Sequence, residues 1–304
     1  MKLKKQSKEW DYQVDTVPAP SFIHNGLTVN PGGFYNVRRD TGESVGHVSK
    51  RYGLVQNRDV LQNIEDAFDK IGLEFPDRKI ETQDGKEIEV KGRDVVVLGN
   101  GEQMFATYTF GEKNDRPLKA GDQIGMRFTA QNSFDGNLKL SFALGALRLV
   151  CSNGMTSMQK EFDMTSKHNS KINVNSLAES AQDAVARFEK VIAQYDKLAE
   201  VEFDHEQGFN ILNRLGLGKV IPQRHASKIA QIWQSPDYKE DEKRNLWNLY
   251  NAGTQYLTRN VEGKTFKRSN EMNQNLLRSL TNMASRGTIG DWIKPVPAET
   301  LIAN

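Results

Sequence analysis

The sequence predicts an α+β protein, with an antiparallel β-sheet and one covering helix in the N-terminal half and a helical C-terminal half. Three observations predict this. From about Phe34 to Cys151 apolar residues alternate between turn signals, which is the period of a half-buried strand. Within that stretch a single run switches to helical spacing. From about Asn175 onward the apolar period lengthens to that of amphipathic helices.

Taken in order, Asp40-Thr-Gly42, Asp84-Gly85, Gly99-Asn-Gly101 and Asp135-Gly136 read as hairpin turns. Asn57 is placed to cap a helix whose apolar face is Val60, Leu61, Ile64, Ala67, Phe68 and Ile71, with Gly72 as its stop. Such a helix covers one face of a sheet. After the polar stretch Thr165–Asn175, Ser176 with Glu179 forms a capping-box pattern. Ala181, Val185, Phe188, Ile192, Tyr195 and Leu198 make the stripe of the helix that follows it. Further helices are expected near 205–215, 222–234, 240–259 and 270–285, broken by Gly216, Gly218, Pro222 and Pro236. The expected division is a sheet domain over 1–164 and a helical region over 165–304.

Composition bounds the function. The 304 residues carry 41 Lys and Arg against 39 Asp and Glu, a net charge of +2, which excludes a histone-like polycation. One cysteine, Cys151, excludes an internal disulfide and a cysteine-based zinc module, and points to a reducing compartment. No stretch is long and apolar enough to span a bilayer, and no apolar core follows Met1-Lys-Leu-Lys-Lys, so a cytoplasmic protein is expected.

Catalytic and cofactor signals are weak. His24, His47, His168, His205 and His225 include no pair at metal-binding helical spacing, and no metal or cofactor is expected. Asp204-His-Glu206 reads as an acidic helix start, and Gly216-Leu-Gly-Lys219 as a turn between helices rather than a phosphate loop. Cys151 ends an apolar strand and reads as a buried structural thiol. Phe209–Trp233 has the outline of a helix-turn-helix carrying Arg224, His225 and Lys228 on its second helix, a pattern common in all-α segments.

The stretch Ile124–Leu144 is the most informative. Ile124, Met126, Phe128 and Ala130, then Leu138, Leu140, Phe142 and Leu144, belong to one face of a hairpin; Arg127, Thr129, Lys139 and Ser141 belong to the other. Phe134 lies in the connecting turn. There it either stacks on bases beside the cationic strands or folds beneath its own loop. Arg38-Arg39, Lys50-Arg51 and Lys267-Arg268 are further basic pairs.

Four blocks carry a resemblance. Tyr52-Gly-Leu-Val-Gln-Asn57, Asn132-Ser-Phe-Asp-Gly136, Leu147-Arg-Leu-Val-Cys-Ser-Asn-Gly-Met155, and Leu246-Trp-Asn-Leu-Tyr-Asn-Ala252 with Tyr256-Leu257 resemble the domain-of-unknown-function 932 family, phage- and plasmid-like proteins. The family assigns no role to Asn132, Asp135, Gly136, Cys151, Asn153 or Gly154. The resemblance implies a mobile element in a bacterial cell. In that setting the outline is similar to the single-strand annealing recombinases of the RecT, Red-beta and Erf type.

The leading expectation is a non-enzymatic, oligomeric single-stranded DNA-binding protein of annealing type, acting without nucleotide hydrolysis. Its expected phosphate and base contacts are Arg127, Lys139, Phe134, Arg38, Arg39, Lys50, Arg51, Lys267 and Arg268. A second expectation is a module that binds a phage or host protein, such as an anti-defence factor, using the aromatic helix of Trp247, Tyr250 and Tyr256. A third is an enzyme using Asp135, Asn153 or Cys151.

Overall fold

The computed structural model describes residues 10–81, 87–149, 163–166, 168, 187–259 and 266–297. The chain opens with β1 (Val14–Pro18), β2 (Phe22–His24), β3 (Leu27–Val29), β4 (Phe34–Arg38) and β5 (Ser44–Val48). β1, β4 and β5 form a three-stranded antiparallel sheet in the order β1-β4-β5, while β2 and β3 pair only with each other. Sheet structure thus begins some twenty residues before the predicted Phe34. Helix α1 (Asn57–Lys70) follows, then β6 (Arg78–Glu81) paired with β7 (Glu87–Val90).

The larger sheet contains β8 (Arg93–Leu98), β9 (Gln103–Thr109), β10 (Arg116–Pro117), β11 (Gln123–Ser133), β12 (Leu140–Arg148) and β13 (Asp163–Ser166). Its order is β13-β12-β11-β9-β8, with β10 on β11, and every pairing is antiparallel. The hairpin is the one the alternation predicts. Phe128 stands opposite Leu144 and Arg127 opposite Gly145.

α1 covers the apolar face of this sheet as expected. Val60, Leu61, Ile64 and Phe68 are buried with Met104, Ala106, Tyr108, Ile124, Met126, Phe128, Phe142 and Leu144. The Phe68 ring meets Tyr108, Phe110 and Phe128 edge to face at 4.9–5.4 Å. Gly72 ends the helix at φ 67°, a conformation that favours glycine. Asn57 is not the cap. The capping position is Gln56, and the Asn57 side chain is turned inward.

The helical half comprises α2 (Phe188–Ala199), α3 (His205–Leu217), α4 (Gln223–Gln234), α5 (Leu246–Arg259), α6 (Phe266–Arg286) and the single turn α7 (Ile289–Trp292). Asp204 caps α3 in a reciprocal box with Gln207, so Asp204-His-Glu206 is a helix start as read. The predicted helix over 240–259 is shorter, because Lys239–Glu242 forms a 3₁₀ turn before α5 begins. The Asp84-Gly85 turn and the Ser176/Glu179 capping box lie outside the described residues.

One apolar cluster runs from the sheet into the helices, reaching Tyr195, Leu212, Ile229, Trp233, Trp247, Tyr250, Leu276 and Leu280. Inside it lies a charged junction. Arg148 on β12 donates to Asp122 Oδ1 and Asp241 Oδ1, each at 2.8 Å, and Trp247 Nε1 donates to Asp122 Oδ2 at 2.6 Å. Three ionic side chains, all nearly inaccessible to solvent, therefore join the sheet to the start of the helical half.

Candidate nucleic-acid interface

The polar hairpin face is largely covered, with Ser141 buried and Arg127 and Thr129 half-buried, and its residues do not form one site. Arg127 is half-buried midway along β11, where its Nε donates to Thr109 Oγ1 at 3.4 Å and it has no carboxylate partner among the described residues. Burial pushes its pKa down to about 10, and Asp94 opposes the shift. Lys139 is exposed beside the turn, opposite the other end of β11. Six residues of strand separate the levels of Arg127 and Ser133, on the order of 20 Å.

The turn itself is fastened down. Phe134 is fully buried against Tyr12, Val14 and Val45, so it is a core residue and not a stacking platform. Its loop folds inward because the backbone around it is held from several sides. Asn36 Nδ2 donates to the Phe134 carbonyl at 2.6 Å, and the Tyr52 hydroxyl donates to the Ser133 carbonyl. Gly46 lies so close to the Phe134 carbonyl that a side chain there has no room. Asp135 accepts from the Asn137 backbone and side chain at 2.8 Å and from Gln103 Nε2 at 2.9 Å, while Gly136 takes φ 74°. Asn132 is buried and donates to the Val55 carbonyl at 2.9 Å and to Asn57 Oδ1 at 2.8 Å. Two of the resemblance blocks are therefore one structure: the Tyr52–Asn57 segment is the cradle of the Asn132–Gly136 turn.

One of the expected basic pairs, Arg38-Arg39, is taken up by carboxylate partners. Arg38 forms a bidentate pair with Asp40 and reaches the Asn100 carbonyl, and Arg39 forms a bidentate pair with Asp15. The neighbouring carboxylates neutralise both, so neither presents a free cation to phosphate. Lys50 and Arg51 are exposed and make no ion pair among the described residues. Both immediately precede Tyr52, whose hydroxyl reaches Ser133; Ser133 Oγ in turn donates to the Leu138 carbonyl at 3.0 Å, next to Lys139. Lys50, Arg51 and Lys139 thus rim the same end of the sheet. Lys267 and Arg268 lie apart, at the start of α6.

Tyr52 and His168 were not assigned a role by sequence reasoning. Their rings stack at 5.0 Å with an interplanar angle of 13°. His168 Nδ1 donates to the Gly53 carbonyl at 3.1 Å, which leaves Nε2 as the acceptor nitrogen, and that atom is buried with no hydrogen-bond partner among the described residues. Burial lowers the His168 pKa, so the ring is neutral at pH 7. A lone histidine in a polar stretch gives no signal of this pairing in the sequence.

Cys151, Asn153 and Gly154 lie outside the described residues. Among the described residues no cluster of His, Cys, Asp or Glu is arranged to hold a metal ion, and no helix is long and apolar enough to cross a membrane. No curated protein and no solved structure matches the chain. A family model does. Residues 44–281, more than three-quarters of the chain, match the family described as Domain of unknown function (DUF932), and since all four sequence blocks fall within that span, the chain belongs to this family.

Proposed function

We propose that the protein binds single-stranded DNA at the turn end of its large sheet, as a cytoplasmic, oligomeric annealing factor of a phage or plasmid that works without nucleotide hydrolysis. One observation carries the reading: Lys50, Arg51 and Lys139 are exposed, without carboxylate partners among the described residues, around the stacked Tyr52–His168 pair. Cations beside aromatic rings are what a strand needs, because phosphates follow the charges while bases stack on the rings. Phe134, buried in the core, takes no part in this binding, and Arg38 and Arg39 hold the sheet rather than the strand.

The test is an electrophoretic titration with labelled oligonucleotides at several salt concentrations. Replacing Lys50, Arg51 and Lys139 together by Gln removes up to three phosphate contacts. The slope of log affinity against log salt is then expected to fall by about 2, at roughly 0.7 per contact on a single strand. Absence of binding by the native protein at low salt overturns the reading.

A second reading, a module that docks on a phage or host protein, is favoured by a different feature. The β2–β3 hairpin turns at Asn25-Gly26, both at positive φ, and exposes Phe22 at 52%, Ile23 at 77% and Leu27 at 71%. Co-purification of a stoichiometric protein partner that is lost on changing Phe22 and Ile23 to Ser supports this reading over the first. The aromatic helix first expected to serve it is core, since Trp247 and Tyr250 are fully buried.

A further inference from the structure

The helical half holds a second cluster of unneutralised cations, built by packing rather than by sequence proximity. In α5, Gly253 has Leu276 of α6 directly against it and Ile229 of α4 at 3.9 Å from the place a Cβ would take, so both helices close over α5 at that glycine. One turn further along α5, the Tyr256 hydroxyl meets His225 Nδ1 at 2.9 Å. His225 precedes Ile229 by one turn, so α4 runs antiparallel to α5. α5 and α6 pack together with only six residues between them, so α6 runs back along α5 in the same direction as α4, and Arg268, two turns before Leu276, lies toward His225. The N-termini of a 12-residue and a 21-residue helix therefore meet at one corner.

Cations outnumber carboxylates at that corner: among the described residues the carboxylate nearest in sequence is Glu271, three positions after Arg268, and it forms no ion pair there. Arg224 and Lys228 stand one turn apart on the exposed face of α4, and Arg268 is exposed on α6. None of the three has a carboxylate partner among the described residues, and neither helix has an acidic residue in its first turn. Positive side chains at the positive ends of two helix dipoles raise the energy of the free protein. The imidazole between them is kept neutral by burial and then by Arg224 and Arg268, and Arg224 Nε donates to its Nε2 at 3.3 Å. A bound anion offsets every one of these costs.

We infer that Arg224, Lys228 and Arg268 form a phosphate-binding corner on the helical half, occupied by backbone phosphates of a nucleic-acid strand and separate from the sheet rim. The occupant rests on the function proposed above; the anion site itself does not. The second helix of the outline first read as helix-turn-helix is used here through its exposed N-terminal turns, so the contacts are to phosphate and carry no base sequence.

Two arms test it on the full chain. In the first, oligo(dT) binding is measured against salt for the native protein, for R224Q/K228Q/R268Q and for the rim variant K50Q/R51Q/K139Q. The corner variant is expected to lose about 2 from the salt slope, with R224K/R268K retaining the native slope. An unchanged slope in the corner variant, alongside a reduced one in the rim variant, overturns the corner while leaving the rim intact. In the second arm, inorganic pyrophosphate is titrated while the His225 ring proton resonances are followed by NMR. A saturable shift in the native protein that is absent in R224Q/R268Q supports the anion site even if oligonucleotides fail to bind, which would then count against the proposed function alone. No shift together with no corner effect on DNA binding overturns the inference. The three residues are exposed, so circular dichroism of each variant is expected to match that of the native chain.

Discussion

Arg148 is the residue on which the buried charge balance turns. Among the described residues it is the cation paired with both Asp122 and Asp241 in the interior, and removing one partner of such a network leaves uncompensated charge where water cannot reach. Arg148→Met is expected to cost about 3–5 kcal/mol in denaturant unfolding. Burial already pushes the Asp241 pKa up. Without Arg148 the folded state binds protons more readily than the unfolded one, so the deficit of the variant shrinks as pH falls from 7 toward 5. Phe134 makes the complementary case. Phe134→Ala is expected to lose about 3–5 kcal/mol of stability, whereas Phe134→Leu, which keeps most of the volume, leaves oligonucleotide affinity at its native value. A selective loss of affinity in the Leu variant would return Phe134 to the surface. His168 adds a pH dependence of definite sign. Its folded pKa is lowered, so the stability it contributes is present above about pH 6.5 and is lost as pH falls through that value toward the folded pKa. The midpoint of denaturation is expected to drop over that range, by no more than about 1.4 kcal/mol per pH unit for this group, and less steeply in His168→Gln.

Among the elements, the turn between β11 and β12 is held by the segment leading into α1. Asn132 joins them through Asn57, which the sequence offered as a helix cap. Asn132→Ala leaves Asn57 Oδ1 and the Val55 carbonyl without their donor in the interior, at an expected cost of about 1–3 kcal/mol. Asn57→Ala at a true cap costs about 1 kcal/mol and affects only α1. Here it is expected to shift turn and helix together, seen as faster amide exchange at both Ser133–Leu138 and the first turn of α1. The β2–β3 hairpin is the opposite kind of element. Three-residue strands paired only with each other gain little stability from burial, and Asn25-Gly26 is a hairpin signal that the turns named from the sequence did not include.

Across the whole molecule, the sheet and the helical half share one apolar cluster and the Arg148 junction. Unfolding followed by tryptophan fluorescence, with Trp233 and Trp247 buried in the helical half, is expected to coincide with loss of β-structure in the far ultraviolet. Two separated transitions would show that the halves fold independently. The sheet rim and the helical corner are likewise predicted to be separable in binding, because they stand on different elements and share no residue.

The α+β class, the hairpin over 124–144, the faces of its strands, α1 and the later helices were legible in the sequence, because side-chain periods of two and 3.6 follow directly from backbone geometry. The alternation assigned Phe128 to the core and Arg127 to the opposite face, and the register agrees. Periodicity is silent on loops and on partners distant in the chain. Whether Phe134 points out or in was decided by Asn36, Gly46 and Tyr52, which lie about 80 to 100 residues away. Whether Arg38 and Arg39 were free was decided by Asp40 and Asp15, and the stack of Tyr52 on His168 spans more than a hundred residues. The sequence by itself determined which residues alternate and which repeat; only the tertiary structure decided which charges are cancelled and which remain exposed, because cancellation depends on distances that folding alone sets.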